Sequence, residues 1–306
     1  MTNISTFWPL KVLARSSRFG YGWWGALIWL LWVLPANALD VRVAIRKNVD
    51  QVQIGTSTTG MIRDSRGRTI WELPELEPLT VDEIQGRLEL TDGRDNFGES
   101  SSFWLEPSGD GVVWIGDRWY RGKVQLIPGD YGVTAINHVN IDDYLYSVVG
   151  SEMPTSWPQE ALRSQAVAAR SYALYHRNKA SGQTFDLNST QSSQVYKGLQ
   201  GEAASTLSAV DATSGKVITH GGRVIEAVFH SSSGGHTENS EHVWSKAVPY
   251  LKGVPDFDHN APVYSWRSQF SLQEVGDLLG YPGTIEAVEV LSRTPRGRAN
   301  RMSIIG

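Results

Sequence analysis

From Leu39 to about Val133 apolar and polar positions alternate in short runs. Val41-Arg42-Val43-Ala44-Ile45, Val52-Gln53-Ile54, Arg87-Leu88-Glu89-Leu90, Val112-Val113-Trp114-Ile115 and Val124-Gln125-Leu126-Ile127 are separated by Gly, Pro, Asn and Asp. A period of two, bounded by turn residues, predicts a small antiparallel sheet. Pro74 to Val81 reads as an extended connection, because Pro74 and Pro78 would break a helix. Trp104, Trp114 and Trp119 also fall in this part. They are expected to fill its core, with a sugar-stacking face as the alternative.

The pattern changes near Asn137. Asp142-Asp143-Tyr144-Leu145 leads into Val148-Val149-Gly150-Ser151-Glu152-Met153-Pro154, which places Glu152 in a loop before a helix. That helix is predicted from about Trp157 to Lys179, with Ser156 as N-cap and Gln159 completing a capping box. Leu162, Ala166, Ala169 and Ala173 make a narrow apolar stripe at helical spacing, so the helix should pack closely. A second helix is predicted over Glu202–Ser214, then a hairpin turning at Gly221-Gly222. Ser271 and Glu274 form a capping box for a third helix ending at Leu279, with Gly280 beyond it. Strand-like runs at Ile285–Leu291 and Arg301–Ile305 follow, and the chain reads as cut short at Gly306. The expected class is α+β: an antiparallel-strand-rich domain over residues 39–133, then a domain over 134–306 with a central buried helix packed on strands.

The first 38 residues stand apart. Lys11, Arg15 and Arg18 precede an apolar run from Trp23 to Leu34, and Ala36-Asn37-Ala38 follows Pro35. That order is a secretory signal peptide cleaved after Ala38. The alternative is an uncleaved anchor, since residues 19–39 carry no charge. Either reading exports the rest of the chain to the periplasm or cell wall. Removing this leader takes three of the 28 Lys+Arg and none of the 32 Asp+Glu, so the remainder is more acidic than the formal −4 of the whole. A nucleic-acid partner is disfavoured by that balance, whereas a neutral polymer is not. Cysteine is absent, which excludes disulfides and thiolate chemistry.

Generic catalytic motifs are missing. There is no G-x-S-x-G, no Ser three residues before a Lys, and no H-E-x-x-H. His230, His236 and His242 lack diagnostic metal spacing and read as hydrogen-bonded loop histidines. Glu152, between Val148-Val149 and Met153-Pro154-Trp157, lies beside apolar surface that disfavours the charged form, while a helix N-terminus nearby would favour it.

The run from Ile141 to Leu174, with its Glu-Met-Pro and Ala-Val-Ala-Ala-Arg segments, resembles the core of the stage II sporulation protein D / amidase enhancer family. Thr190–Gly198 is similar to that family's Gln-x-Tyr-x-Gly segment. His230–Glu238, Val243-Trp244 and Pro249-Tyr250-Leu251 are similar to its later motifs, in the same order. The resemblance covers about Val133 to Val254. It implies a peptidoglycan lytic transglycosylase that cleaves peptide-stripped glycan strands, with Glu152 as the catalytic acid. Arg170 is then expected in the active site, donating to that carboxylate or to a substrate N-acetyl oxygen, with a structural salt bridge as the alternative. Gln194, Tyr196 and Lys197 are assigned to the substrate cleft. A single acid suffices if the muramic 6-hydroxyl replaces water, whereas ordinary glycosidases need two. The competing reading is a non-catalytic wall-binding activator of a cell-wall amidase. Some family members carry cysteines in the segments matching Ser193 and Ser233 and bind zinc through them. This chain has serine at both, so neither metal nor any other cofactor is expected.

Overall fold

The computed structural model describes residues 39–306. The leader expected over residues 1–38 lies outside them. Twelve strands follow one another: β1 (Asp40–Val49), β2 (Gln51–Thr56), β3 (Gly60–Arg63), β4 (Thr69–Leu73), β5 (Leu79–Ile84), β6 (Arg87–Thr91), β7 (Asn96–Ser100), β8 (Phe103–Pro107), β9 (Val113–Ile115), β10 (Arg118–Tyr120), β11 (Lys123–Pro128) and β12 (Val133–Asn140). A short β13 (Leu187–Asn188) joins β1 in parallel. They form a seven-stranded sheet, β13-β1-β12-β11-β8-β3-β4, and a six-stranded sheet, β10-β9-β2-β5-β6-β7.

Alternation decides which side of each strand is buried. Val52 and Ile54, Leu79 and Val81, Leu88 and Leu90, Phe103 and Leu105, Val113 and Ile115, and Val124 and Leu126 all turn into one hydrophobic cluster. A period-two strand can bury only alternate residues, so their neighbours face outward. The three tryptophans are among those neighbours. Trp104, Trp114 and Trp119 are half-buried on sheet faces, not core filling as the sequence suggested. The extended connection expected up to Val81 is also shorter than predicted. Its last residues are the start of β5, while Pro74 and Pro78 stay outside the strand, where a missing N–H costs no ladder bond.

Three helices cover the end of the larger sheet: α1 (Ile141–Glu152), α2 (Gln159–Lys179) and α3 (Ala204–Asp211). The α1 helix replaces the expected loop. Asn140 caps it by accepting from the Asp142 N–H at 2.9 Å, and Tyr144, Leu145, Val148 and Val149 are buried on one face. That burial outweighs the weak helix preference of Val and Gly. The α2 helix starts two residues later than expected. Ser156 does not cap it, Pro158 occupies the N-cap, and the Gln159 amide donates to the Ser205 carbonyl instead. Its predicted stripe of Leu162, Ala166, Ala169 and Ala173 is fully buried. The boundary expected between residues 133 and 134 falls in β12, and the buried cluster runs across it from Val41 to Val210.

Beyond α3 the elements are shorter: β14 (Thr219–His220) and β15 (Arg223–Val224), α4 (Ser240–Val243), α5 (Leu272–Leu279), and the hairpin of β16 (Ala287–Arg293) and β17 (Ala299–Ile305). Gly221 and Gly222 turn the first hairpin with φ of 56° and 75°, the mirror-image turn that glycine permits. Ser271 and Glu274 form the predicted capping box, and Gly280 closes α5 in the left-handed conformation. The α+β class holds. Among the described residues no helix is long and apolar enough to cross a membrane.

His138 on β12 reports on this packing. Its Nε2 lies 3.0 Å from Gln125 Oε1, its ring packs edge-on to Trp104, and burial pushes its pKa down to about 4. The unfolded chain therefore binds this proton more readily than the folded one between about pH 6.5 and 4. Stability conferred by neutral His138 should be complete above about pH 6.5 and lost as pH falls toward 4. Comparing urea midpoints of wild type and His138→Gln across that range tests this, and parallel pH curves for the two would refute it.

Candidate functional site

Glu152 is the last residue of α1, with Met153 as the C-cap. Its side chain is half-exposed. Oε1 accepts a 2.6 Å hydrogen bond from the backbone N–H of Val195, and no other hydrogen bond to this carboxylate is formed among the described residues. One oxygen is thus fixed while the other accepts no hydrogen bond among the described residues.

The loop that supplies this N–H is built from β13 onward. Ser189 donates to the Ala44 carbonyl, and Tyr196 N–H returns to the Ser189 carbonyl at 3.0 Å, closing the loop. Side chains then alternate. Gln194 and Tyr196 turn inward and are buried, while Val195 is half-exposed and Lys197 exposed. Gln194 accepts from Tyr144 OH at 3.2 Å and donates to the Ala169 carbonyl at 3.4 Å. Tyr196 OH donates to Asn137 Oδ1 at 2.9 Å, and its ring packs against Tyr144 and Tyr120 at 4.8 and 5.3 Å. Burial pushes the Tyr144 and Tyr196 phenols well above the usual range, with Tyr172 and Glu152 adding to the effect at Tyr144. Both phenols therefore stay neutral donors. Gln194 and Tyr196, expected to line the cleft, are instead buried behind the loop. Lys197 alone of that set presents its side chain to solvent, while its N–H donates to Ser147 Oγ at 3.2 Å.

Close approach makes this possible. A Cβ on Gly150 would lie 2.2 Å from the Gly201 carbonyl oxygen, and one on Gly201 would lie 2.5 Å from Ser151 Oγ. Only glycine at both positions lets α1 sit directly on the 3-10 turn Gly198–Gly201 that follows the loop.

Arg170 is elsewhere. It is 1% exposed, and every one of its N–H groups points into the protein. Nε and Nη2 donate to Asp142 Oδ1 at 3.2 and 2.9 Å, and the other bonds go to the Val210, Thr213 and Lys216 carbonyls. Asp142 and Glu152 stand at opposite ends of α1, about 15 Å apart along its axis at 1.5 Å per residue. Arg170 consequently makes the structural ion pair, not the contact to Glu152 or to substrate expected from the motif.

The later motifs build a separate region. Asp258 accepts from the N–H groups of Ser233, Gly234 and Gly235 at 2.6, 2.9 and 2.8 Å. The Ser232 hydroxyl and these amides hold its pKa down to about 2. Ser233 Oγ donates to Asp256 at 2.7 Å, and Ser193 Oγ accepts from Asn188 N–H at 3.1 Å. Two engaged hydroxyls do not fit the thiolate donors a structural zinc needs. His230 faces Asp256 at 3.7 Å and His242 faces Glu238 at 3.2 Å. Two cavities of about 490 and 530 Å³ flank this region and share Val228, Trp244, Tyr250 and Leu251. Glu152 lines neither. The Val195 N–H that fixes the carboxylate had no signal in the sequence, since any residue but proline supplies it.

Residues 130–220 match the family described as stage II sporulation protein. The chain is 38% identical over 202 residues to an uncharacterised protein of Brachyspira hyodysenteriae, covering 64% of this chain and 54% of that one. It is 36% identical over 181 residues to stage II sporulation protein D of Bacillus amyloliquefaciens, covering 53% and 52%. Over 131 residues it is 40% identical to an amidase enhancer of Bacillus subtilis, covering 43% of this chain and 17% of that protein. The chain spans about half the length of the first two.

Two substitutions probe the scaffold. Gly150→Ala should overpack the contact between α1 and Gly201, costing about 1–3 kcal/mol in chemical denaturation. An unchanged midpoint would show that the turn can retreat. Arg170→Met should cost about 3–5 kcal/mol, because it removes a fully buried guanidinium and leaves the Val210, Thr213 and Lys216 carbonyls without their donor. A loss below about 1 kcal/mol would mean that the pair is not the brace its geometry indicates.

Proposed function

Residues 130–220 belong to the stage II sporulation protein family, and from that premise we propose that this chain is an exported peptidoglycan lytic transglycosylase with Glu152 as its acid and base. The observation that carries this reading is the Glu152 carboxylate itself, with one oxygen held by the Val195 N–H at 2.6 Å and the other free to meet a substrate. A held carboxylate loses no orientation on reaching the transition state.

The chemistry needs one group acting twice. Protonated Glu152 gives its proton to the glycosidic oxygen as the C1–O bond breaks, so the leaving strand departs with a hydroxyl. The muramic 6-hydroxyl then adds to C1 and returns its proton to the same carboxylate, leaving a 1,6-anhydro ring and the enzyme as it began. No water is consumed and no second carboxylate is required, in contrast to hydrolytic glycosidases. Export follows from the leader read in residues 1–38.

A second reading rests on one comparison, the likeness to a protein named amidase enhancer. In it the chain binds wall glycan and stimulates a cell-wall amidase without cutting anything.

Purified protein incubated with peptide-free glycan strands, with products identified by mass spectrometry, separates the two. Wild type should release anhydromuramic ends. Glu152→Gln, which keeps an oxygen for the Val195 N–H, should lower the rate about 10²- to 10⁴-fold with an unchanged melting temperature. Strand binding without cleavage by either protein, together with stimulation of an added amidase, would replace the first reading by the second.

A further inference from the structure

The edge of the six-stranded sheet carries a second aromatic site that the chemistry at Glu152 does not use. Trp114 on β9 and Trp119 on β10 are directly paired across the hairpin, with ring centroids 5.3 Å apart and planes at 65°. Val113, Ile115 and Tyr120 take the buried side of these strands, which leaves both indoles on the opposite, half-exposed side. They border a groove of about 290 Å³ whose other walls are Gln53, Gly55, Thr56, Leu76 and Pro78.

Three details shape this groove. Gly55 lies opposite Trp114 in the ladder, and a Cβ there would meet Trp114 Cβ at 3.6 Å and the Glu77 carbonyl at 3.7 Å. A larger side chain would therefore fill the space that glycine leaves beside the indole. Leu76 forms the rim at 67% exposure with φ of 62°, held there by its N–H on the Thr56 carbonyl at 2.8 Å. A leucine adopts that left-handed conformation only where its surroundings impose it. Finally, no charged side chain lines the groove, and Gln53 supplies its one amide.

An uncharged ligand with an apolar face and hydroxyl or amide groups at its rim fits these walls. A pyranose ring has that character, presenting C–H groups to an indole face and polar groups at its edge.

The groove is also joined to the candidate catalytic loop. On the reverse side of β10, Tyr120 packs on Tyr196 at 5.3 Å. A Cβ on Gly198 would fall 2.0 Å from the Trp119 carbonyl oxygen, so the strand and the turn after the loop are in direct contact. Arg118 donates to Gln200 Oε1 at 3.1 Å beside it. Trp119 is thus carried on a strand packed directly against the turn that follows the Val195 loop.

We propose that the Trp114–Trp119 groove is a second glycan subsite, which takes one N-acetylhexosamine unit of a strand whose reactive bond lies at Glu152. The proposal rests on the glycan reading above, but not on catalysis.

The test uses the full chain and peptide-free peptidoglycan oligosaccharides, alternating N-acetylglucosamine and N-acetylmuramic acid, of increasing length. The indole N–H signals of Trp114 and Trp119, assigned by substitution, should move on titration in wild type and equally in Glu152→Gln. Trp119→Leu and, independently, the groove-filling Gly55→Val should weaken binding of the longest oligosaccharide about tenfold, with unchanged melting temperatures. Cleavage of the shortest substrate, if the chain cleaves, should stay at the wild-type rate in both variants. Absence of any indole shift at saturation overturns the proposal, as does a shift produced only by an added amidase. Indole shifts without anhydromuramic products would uphold the subsite while defeating the transglycosylase reading.

Discussion

A buried guanidinium must have all its N–H groups satisfied, and the way Arg170 meets that demand sets the geometry of the helical layer. It reaches from α2 to Asp142 in the first turn of α1 and to three carbonyls at the C-terminal end of α3 and just beyond. Anions at a helix start and cations at a helix end are also the arrangement that helix dipoles favour. Asp142 is held further by the Ser214 hydroxyl at 2.6 Å. With its first turn pinned in this way, α1 behaves as a rod whose other end is Glu152. Arg170 therefore braces the first turn of α1 and does not touch the carboxylate.

The other end of the rod is located by sterics. Gly150 and Gly201 allow α1 and the 3-10 turn to meet at a distance any side chain would prevent. Gly198, with φ of 61°, packs against the Trp119 carbonyl in the same way. Arg121 adds a bidentate pair to Glu202 at 2.8 Å, tying the β10–β11 connection to the end of the turn. These contacts leave the loop before the turn one place to lie, with the Val195 N–H under Glu152.

Much of this was legible in the sequence, for reasons that differ between elements. Strands such as β6 and β11 announce themselves because one face is wet and the other dry, and α5 because both of its caps are chemically explicit. The α1 helix was not legible. Its β-branched pair Val148-Val149 and Gly150 argue against a helix locally, and only burial against α2 and β12 reverses that. The start of α2 failed for the opposite reason, since a good local capping box lost Gln159 to the Ser205 carbonyl. Among the candidate site residues, Glu152 was singled out by its apolar surroundings, and the loop expected there is a helix end. Motif resemblance marked Arg170, Gln194 and Tyr196 as important without indicating direction. All three face inward, and what faces outward between Gln194 and Tyr196 is a backbone amide that no side-chain pattern can encode.

The serines at 193 and 233 show how the chain orders its remaining loops without thiols. A thiolate would offer electrons to a metal, whereas a serine hydroxyl offers a proton, so Ser233 becomes a donor to Asp256 and not a metal ligand. Around it the Ser232–Gly235 turn directs three backbone amides at Asp258, and Arg298 bridges the Ser233 and His236 carbonyls to Glu238. Side-chain and backbone hydrogen bonds hold both carboxylates near pKa 2, with Ser232 the largest influence on Asp258 and Thr294 the largest on Glu238. Their contribution is present above the unfolded values, 3.8 for Asp and 4.5 for Glu, and is lost only as pH falls through about 2. Carboxylates at the centre and donors around them invert the usual metal site, in which a cation sits at the centre and acceptors surround it. The inversion lets a cysteine-free chain keep a compact turn with hydrogen bonds alone.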